Sequence, residues 1–158
     1  MTGHGVRPAL VFAWGNPSRG DDALGPALLA MLETAQRERG EFAHVELLSD
    51  YQLQVEHALD LQGRERVLFI DASVSAQAPC ELCQLQPEQD TSYTTHTMSP
   101  AAVLAVYEQI NDQPPPPAWL LSIRGYEFEL GELLTAQARL NLGESYTRAC
   151  EFLNDHSL

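Results

Sequence analysis

The sequence predicts an α/β protein, a mostly parallel sheet covered by helices. Two observations predict it. Short apolar runs alternate along the chain with segments whose apolar residues recur at helical spacing. The first run also passes into the first helical segment through a glycine-containing loop, the strand–loop–helix order from which parallel sheets are built. No internal repeat and no domain boundary is visible, so residues 1–158 are expected to form one domain.

The elements follow in order. Ala9 to Trp14 is an apolar run ended by Gly15-Asn16-Pro17, as expected of a strand buried on both faces. Leu24, Leu28, Met31, Leu32 and Ala35 then mark a helix from about Asp22 to Arg39, ended by Gly40. His44 to Leu48 alternates and predicts a second strand. Leu53, Glu56, His57 and Leu61 predict a second helix, ended by Gly63. Arg66 to Ile70 is a third apolar strand that delivers Asp71, and Cys80 to Leu85 is a weaker fourth. Ser99-Pro100 supplies an N-cap and a favourable first residue for a third helix, with Val103, Leu104, Val106, Tyr107 and Ile110 on its apolar face. Pro114 to Pro117 must leave the helix and form a stiff connector, either a spacer or a recognition segment for a proline-binding domain. Ala118 to Ile123 is a fifth strand. A last helix runs from about Leu133 to Asn154, with Leu134, Ala138, Leu142, Tyr146, Ala149 and Leu153 on one stripe.

Composition narrows the function. With 22 acidic against 9 basic residues, the net charge is −13, which repels a nucleic-acid backbone and attracts cations or basic peptide. Much of that charge is also what keeps an ordinary surface soluble. No run approaches the roughly 20 apolar residues needed to cross a bilayer, and no secretory leader is visible, so the expectation is a cytoplasmic protein without a membrane partner. Three cysteines suit a reducing compartment. Cys80 and Cys83 have CxxC spacing, but on a strand those positions face opposite sides, and no second pair completes a zinc site.

The loop Gly15-Asn16-Pro17-Ser18-Arg19-Gly20-Asp21-Asp22-Ala23-Leu24-Gly25 is the most informative segment. Ligands of open α/β sheets bind outside the carboxyl ends of the strands. This loop lacks both common phosphate-binding patterns and carries two adjacent carboxylates, which fit a cation better. The competing reading is that these acids stabilise the start of the helix. Asp71, closing an apolar strand, is brought to the same sheet edge if the two strands are parallel; alternatively it makes a side-chain turn. His96 lies in a polar loop before the third helix, and neutral imidazole is a common ligand of nickel and zinc. Asp22, Asp71 and His96 together would make an oxygen/nitrogen site with open positions for a divalent metal. Serine, cysteine and HExxH peptidase settings are absent.

Gly15-Asn16, the Asp21-Asp22-Ala23-Leu24-Gly25 run, the strand end Ile70-Asp71-Ala72, and His96 ahead of a helix resemble the hydrogenase maturation endopeptidases, in order from about Leu10 to Leu153. The stretch Asn16 to Pro26, with Asp50-Tyr51-Gln52-Leu53, is most similar to the branch serving NAD-reducing (Hox-type) hydrogenases. The resemblance implies a three-layer αβα sandwich around a twisted five-stranded sheet. It also implies removal of a C-terminal extension from a nickel–iron hydrogenase large-subunit precursor after nickel insertion. The nickel would be carried by the precursor and contacted by Asp22, Asp71 and His96, which are thus the implied catalytic and metal residues; cadmium or zinc could occupy the same site. Many family members carry Glu where this chain has Asp22, and the shorter side chain reaches about 1.5 Å less, which leaves open a share for Asp21. The implied partner is the precursor, met by a monomer. Two other readings compete: a non-catalytic module that senses nickel loading of the precursor, and a phosphate- or nucleotide-binding domain, against which the acidic loop weighs.

Overall fold

The computed structural model describes residues 5–89 and 98–157. The expected strands form in order: β1 (Ala9–Trp14), β2 (Val45–Asp50), β3 (Arg66–Ser73), β4 (Cys80–Leu85) and β5 (Ala118–Arg124). They pair in the order β2-β1-β3-β5-β4, parallel except for β4, which runs antiparallel along the edge beside β5. The central strands β1 and β3 are the most apolar, because both their faces are covered.

Helices cover the two faces. On one lie α1 (Leu24–Arg39) and α3 (Ala136–Asn154), which bury Leu28, Leu32, Ala138, Ala149 and Phe152 against Val11, Leu68, Ile70 and Ile123. On the other lie α2 (Pro100–Asn111) and the segment Val55–Leu61, packing Leu104, Tyr107 and Leu61 against Leu10, Phe12 and Phe69. The result is the expected three-layer sandwich. Alternation along each strand assigns its odd and even residues to the two layers. Among the described residues, no helix is long and apolar enough to cross a membrane.

Several local expectations hold. The Ser99 hydroxyl accepts a hydrogen bond from the Ala102 N–H at 3.1 Å, and Pro100 takes the first turn. Cys80 packs towards the core while Cys83 is exposed, and all three cysteines are free thiols.

Other expectations are corrected. Val55–Leu61 is a 3-10 helix and not an α-helix. Its start is closed by the His57 ring, whose Nδ1 accepts from the Gln54 N–H at 2.8 Å in a reciprocal cap. α1 begins at Leu24, because Gly20–Ala23 forms a separate 3-10 turn. β3 runs two residues past Asp71 to Ser73, so Asp71 stands near the C-terminal end of the strand, paired opposite Ser122 of β5, and does not close it. The turn role falls to Ser73, whose hydroxyl accepts from the N–H groups of Ser75 and Ala76.

Candidate active site

The order of the sheet creates the site. β1 is followed in sequence by β2 on one side and β3 on the other, so the loops leaving β1 and β3 part at a topological switch point, where such sheets open a crevice. Asp22 comes from the loop after β1 and Asp71 from the C-terminal end of β3. Both line one open cleft of about 380 Å³, with Trp14, Asn16, Arg19, Tyr51, Gln52 and Ala72.

Asp22 is half-buried and is held by the Asn16 N–H, which donates to its Oδ2 at 2.7 Å. The loop can fold back this far because Gly15 adopts φ +147° with its Cα against the Asp22 carbonyl; a Cβ there would lie 2.1 Å from that oxygen. Asn16 Oδ1 accepts in turn from the Ser18 N–H at 2.8 Å. The side chain of Asp22 caps no helix: α1 has no side-chain cap at its N-terminus.

Asp71 is set in a drier environment. Burial, and next the charge of Asp22, push its carboxyl up to about 7, against hydrogen bonds from the Ala72 backbone and the Trp14 side chain that pull the other way. Arg19 lines the same cleft, but among the described residues it forms no ion pair with either acid. Two half-buried carboxylates facing one cleft without a paired cation repel each other at neutral pH, and a divalent cation bridging them would relieve that repulsion. Hard oxygen donors of this kind, with further positions open, fit a divalent ion.

Asp21 has a different fate from its neighbour. It is fully buried and faces away from the cleft. Its Oδ2 accepts from the N–H groups of Tyr126 (2.8 Å) and Glu127 (3.1 Å) and from the Thr135 hydroxyl (2.9 Å); its Oδ1 accepts from the Thr135 N–H (2.8 Å). Burial alone would raise this carboxyl, but these bonds bring it below the ordinary carboxylate value. Asp21 is therefore a clasp between the β1 loop and the segment joining β5 to α3, its carboxylate committed to four hydrogen bonds within the fold. Backbone bonds from Gly20 to Glu132 and from Gly131 to Ser18 add to the same seam.

His96 lies outside the described residues. Among the described residues no three His, Cys, Asp or Glu side chains gather as a cation site; Asp22 and Asp71 are two carboxylates that line one cleft. Asn16, Tyr51 and Gln52 enter the sequence reading only as parts of the family resemblance, with no role at the site, and Trp14 only as the end of an apolar run. For Asn16 the signal was present, in the Gly-Asn-Pro turn; for Trp14 it was the polar ring edge at the end of a strand.

Gly25 sets how closely α1 approaches this edge. A Cβ there would lie 2.6 Å from the Trp14 carbonyl oxygen and 3.2 Å from that of Ile70. Gly25→Ala should push the start of α1 off the sheet and cost about 1–3 kcal/mol, as overpacking does. Urea unfolding checks this; a midpoint equal to the parent's would show that the helix end is free to shift.

No family model matches the chain, and no curated protein matches it in sequence. Solved structures do match. The hydrogenase maturating endopeptidase HybD from E. coli is 21% identical, with a TM-score of 0.68 over 92% of this chain and 91% of that one. The nickel–iron hydrogenase maturation protease HycI from Thermococcus kodakarensis is 17% identical, with a TM-score of 0.69 over 96% of both chains. A hydrogenase 2 maturation peptidase from a Thaumarchaeota archaeon is 18% identical, with a TM-score of 0.63 over 92% and 97%. At these identities the likeness is one of fold, and it runs nearly end to end in each pair.

Proposed function

We propose that this chain is an endopeptidase that removes the C-terminal extension of a nickel–iron hydrogenase large-subunit precursor after nickel has been inserted. The observation that carries the reading is the meeting of Asp22 and Asp71 in one cleft at the switch point of the sheet. The sequence resemblance assigns these two positions to nickel contact, and the fold is shared with solved maturation endopeptidases. The resemblance of Asn16 to Pro26 and of Asp50 to Leu53 favours a precursor from an NAD-reducing hydrogenase.

The nickel belongs to the substrate. Asp22 and Asp71 bind it through oxygen, and His96 is proposed as the nitrogen donor. Their contribution is to hold the precursor so that its scissile bond lies beside the cleft. Positioning of this kind can lower a barrier by several kcal/mol, up to roughly 7–11 in ideal cases. The ion, when present, would supply positive charge that can polarise the scissile carbonyl or activate a water. Asp22 is kept in place from behind by Asn16 and, through Asp21, by the β5–α3 segment.

The test is incubation with nickel-loaded precursor, read by mass. The parent should release the extension, and Asp22→Ala, Asp71→Ala and His96→Ala should each reduce cleavage by at least about 100-fold while remaining folded. A parent protein that binds the loaded precursor and leaves its mass unchanged would instead be a sensor of nickel loading.

A further inference from the structure

Tyr51 stands between two clefts. It lines the cleft of Asp22 and Asp71, and it also lines a second open cleft of about 420 Å³ formed with Gly15, Pro17, Pro26, Ser49 and Asp50. Its side chain is largely in solvent, with 67% of the residue exposed. Aromatic residues, Tyr among them, are enriched at protein interfaces relative to the rest of the surface.

The backbone on either side of Tyr51 is held by hydrogen bonds. Its own N–H donates to Asp50 Oδ1 at 2.6 Å. The other oxygen, Asp50 Oδ2, lies 3.2 Å from His57 Nε2. Since Nδ1 of that ring accepts from the Gln54 N–H, Nε2 carries the proton and donates to Asp50. The Gly15 N–H donates to the Asp50 carbonyl at 3.2 Å, and the Met98 N–H donates to that of Leu53 at 3.1 Å. The His57 ring itself is buried, 4.4 Å from the Phe12 ring. These bonds restrict the loop before any partner arrives, which reduces the entropy cost of binding through Tyr51.

We propose that Tyr51 is a specificity-determining residue that grips an extended peptide segment of the substrate as it passes from the cleft of the two carboxylates into the second cleft. The inference rests on the functional reading above and adds where the substrate chain runs. Two features favour a peptide over a small molecule. Both clefts are open, whereas small ligands are usually enclosed over most of their surface. The second cleft also brings two prolines together with Gly15, Ser49 and Asp50, a mixture of apolar and polar residues suited to a chain with alternating apolar and amide groups. Both Asp50 oxygens are already engaged by the loop, so Asp50 acts as a positioning residue for Tyr51.

Steady-state cleavage of nickel-loaded precursor by the parent, Tyr51→Ala and Tyr51→Phe tests this. Tyr51→Ala should raise KM about tenfold or more, as loss of an aromatic anchor does, with kcat within about twofold. Tyr51→Phe should restore KM to near the parent's, and all three proteins should share one melting temperature. An unchanged KM in Tyr51→Ala, or a raised KM accompanied by a lowered melting temperature, would overturn the inference. A parent protein that does not cleave at all would remove the functional reading, and this inference with it.

Discussion

Asp71→Asn should make the metal-free protein more stable above pH 7 while abolishing processing. In the unfolded chain this carboxyl ionises near its ordinary value of 3.8, whereas in the folded protein burial and then the charge of Asp22 hold its proton to about 7. Between those two pH values the unfolded state has released a proton that the folded state keeps, so stability falls as pH rises through the window and then levels off. At about 1.4 kcal/mol per pH unit, the full cost above pH 7 has an upper bound near 4 kcal/mol. The amide carries no charge and removes that cost, but it leaves the Trp14 and Ala72 donors with a weaker acceptor. The expected net gain is about 2–3 kcal/mol at pH 8, or on the order of 5–10 °C in melting temperature. Below pH 4 the two proteins should differ little. Urea unfolding of both from pH 4 to pH 9 checks this, and parallel stability curves would mean that Asp71 carries no such burden.

The prediction also bears on why the site is built this way. A pair of acids that destabilises the empty protein at neutral pH is an arrangement that a cation would favour, since the repulsion vanishes once positive charge sits between them. The same pair would be a poor choice for holding a turn or capping a helix, and neither side chain caps α1. Loss of stability in the Asp22→Ala variant would support a purely structural role for that side chain through Asn16; retained stability with lost cleavage supports the proposed one.

How far the sequence discloses this arrangement depends on how local the cause is. β1 and β3 are legible because strands buried on both faces must be apolar throughout, and Ser99-Pro100 marks the start of α2 by local chemistry alone. Asp71 is legible as a carboxylate ending an apolar run; its placement within the paired strand opposite Ser122 depends on β5, about fifty residues away. The two acids at 21 and 22 are adjacent and chemically alike, so nothing in their neighbourhood separates ligand from clasp. Only partners more than 100 residues later, at Tyr126, Glu127 and Thr135, decide it. The inward face of α3 is similar. Its apolar stripe is visible, but Asn141 and Ser145 are buried on it as well, because the Asn141 amide donates to the Arg124 carbonyl and the Tyr126 hydroxyl. Polar residues satisfied by distant partners break the periodicity by which buried faces are read.

Asp21→Ala should be the most destabilising substitution in this region, in contrast to its neighbour. Removing the carboxylate leaves the N–H groups of Tyr126, Glu127 and Thr135 without their acceptor, and it also strands the Thr135 hydroxyl. Each buried donor left unpaired costs about 1–3 kcal/mol, less whatever water recovers, so a total loss of about 3–5 kcal/mol is expected. The loss should be felt on both sides of the seam: the loop carrying Asp22 loosens, and α3 loses the acceptor that fixes its capping residue Thr135. Asp21→Asn should recover little, because its NH2 group would face an N–H donor. The pH dependence separates this effect from that of Asp71. A carboxyl held below its unfolded value contributes stability that is fully present above about pH 4 and is lost as the pH falls through the folded value. The parent should therefore lose stability on acidification below pH 4 more steeply than Asp21→Ala, while the difference between pH 5 and pH 9 stays constant. A variant melting within about 2 °C of the parent would mean that the seam holds without its clasp. In that case Asp22 would have to be positioned by Asn16 alone.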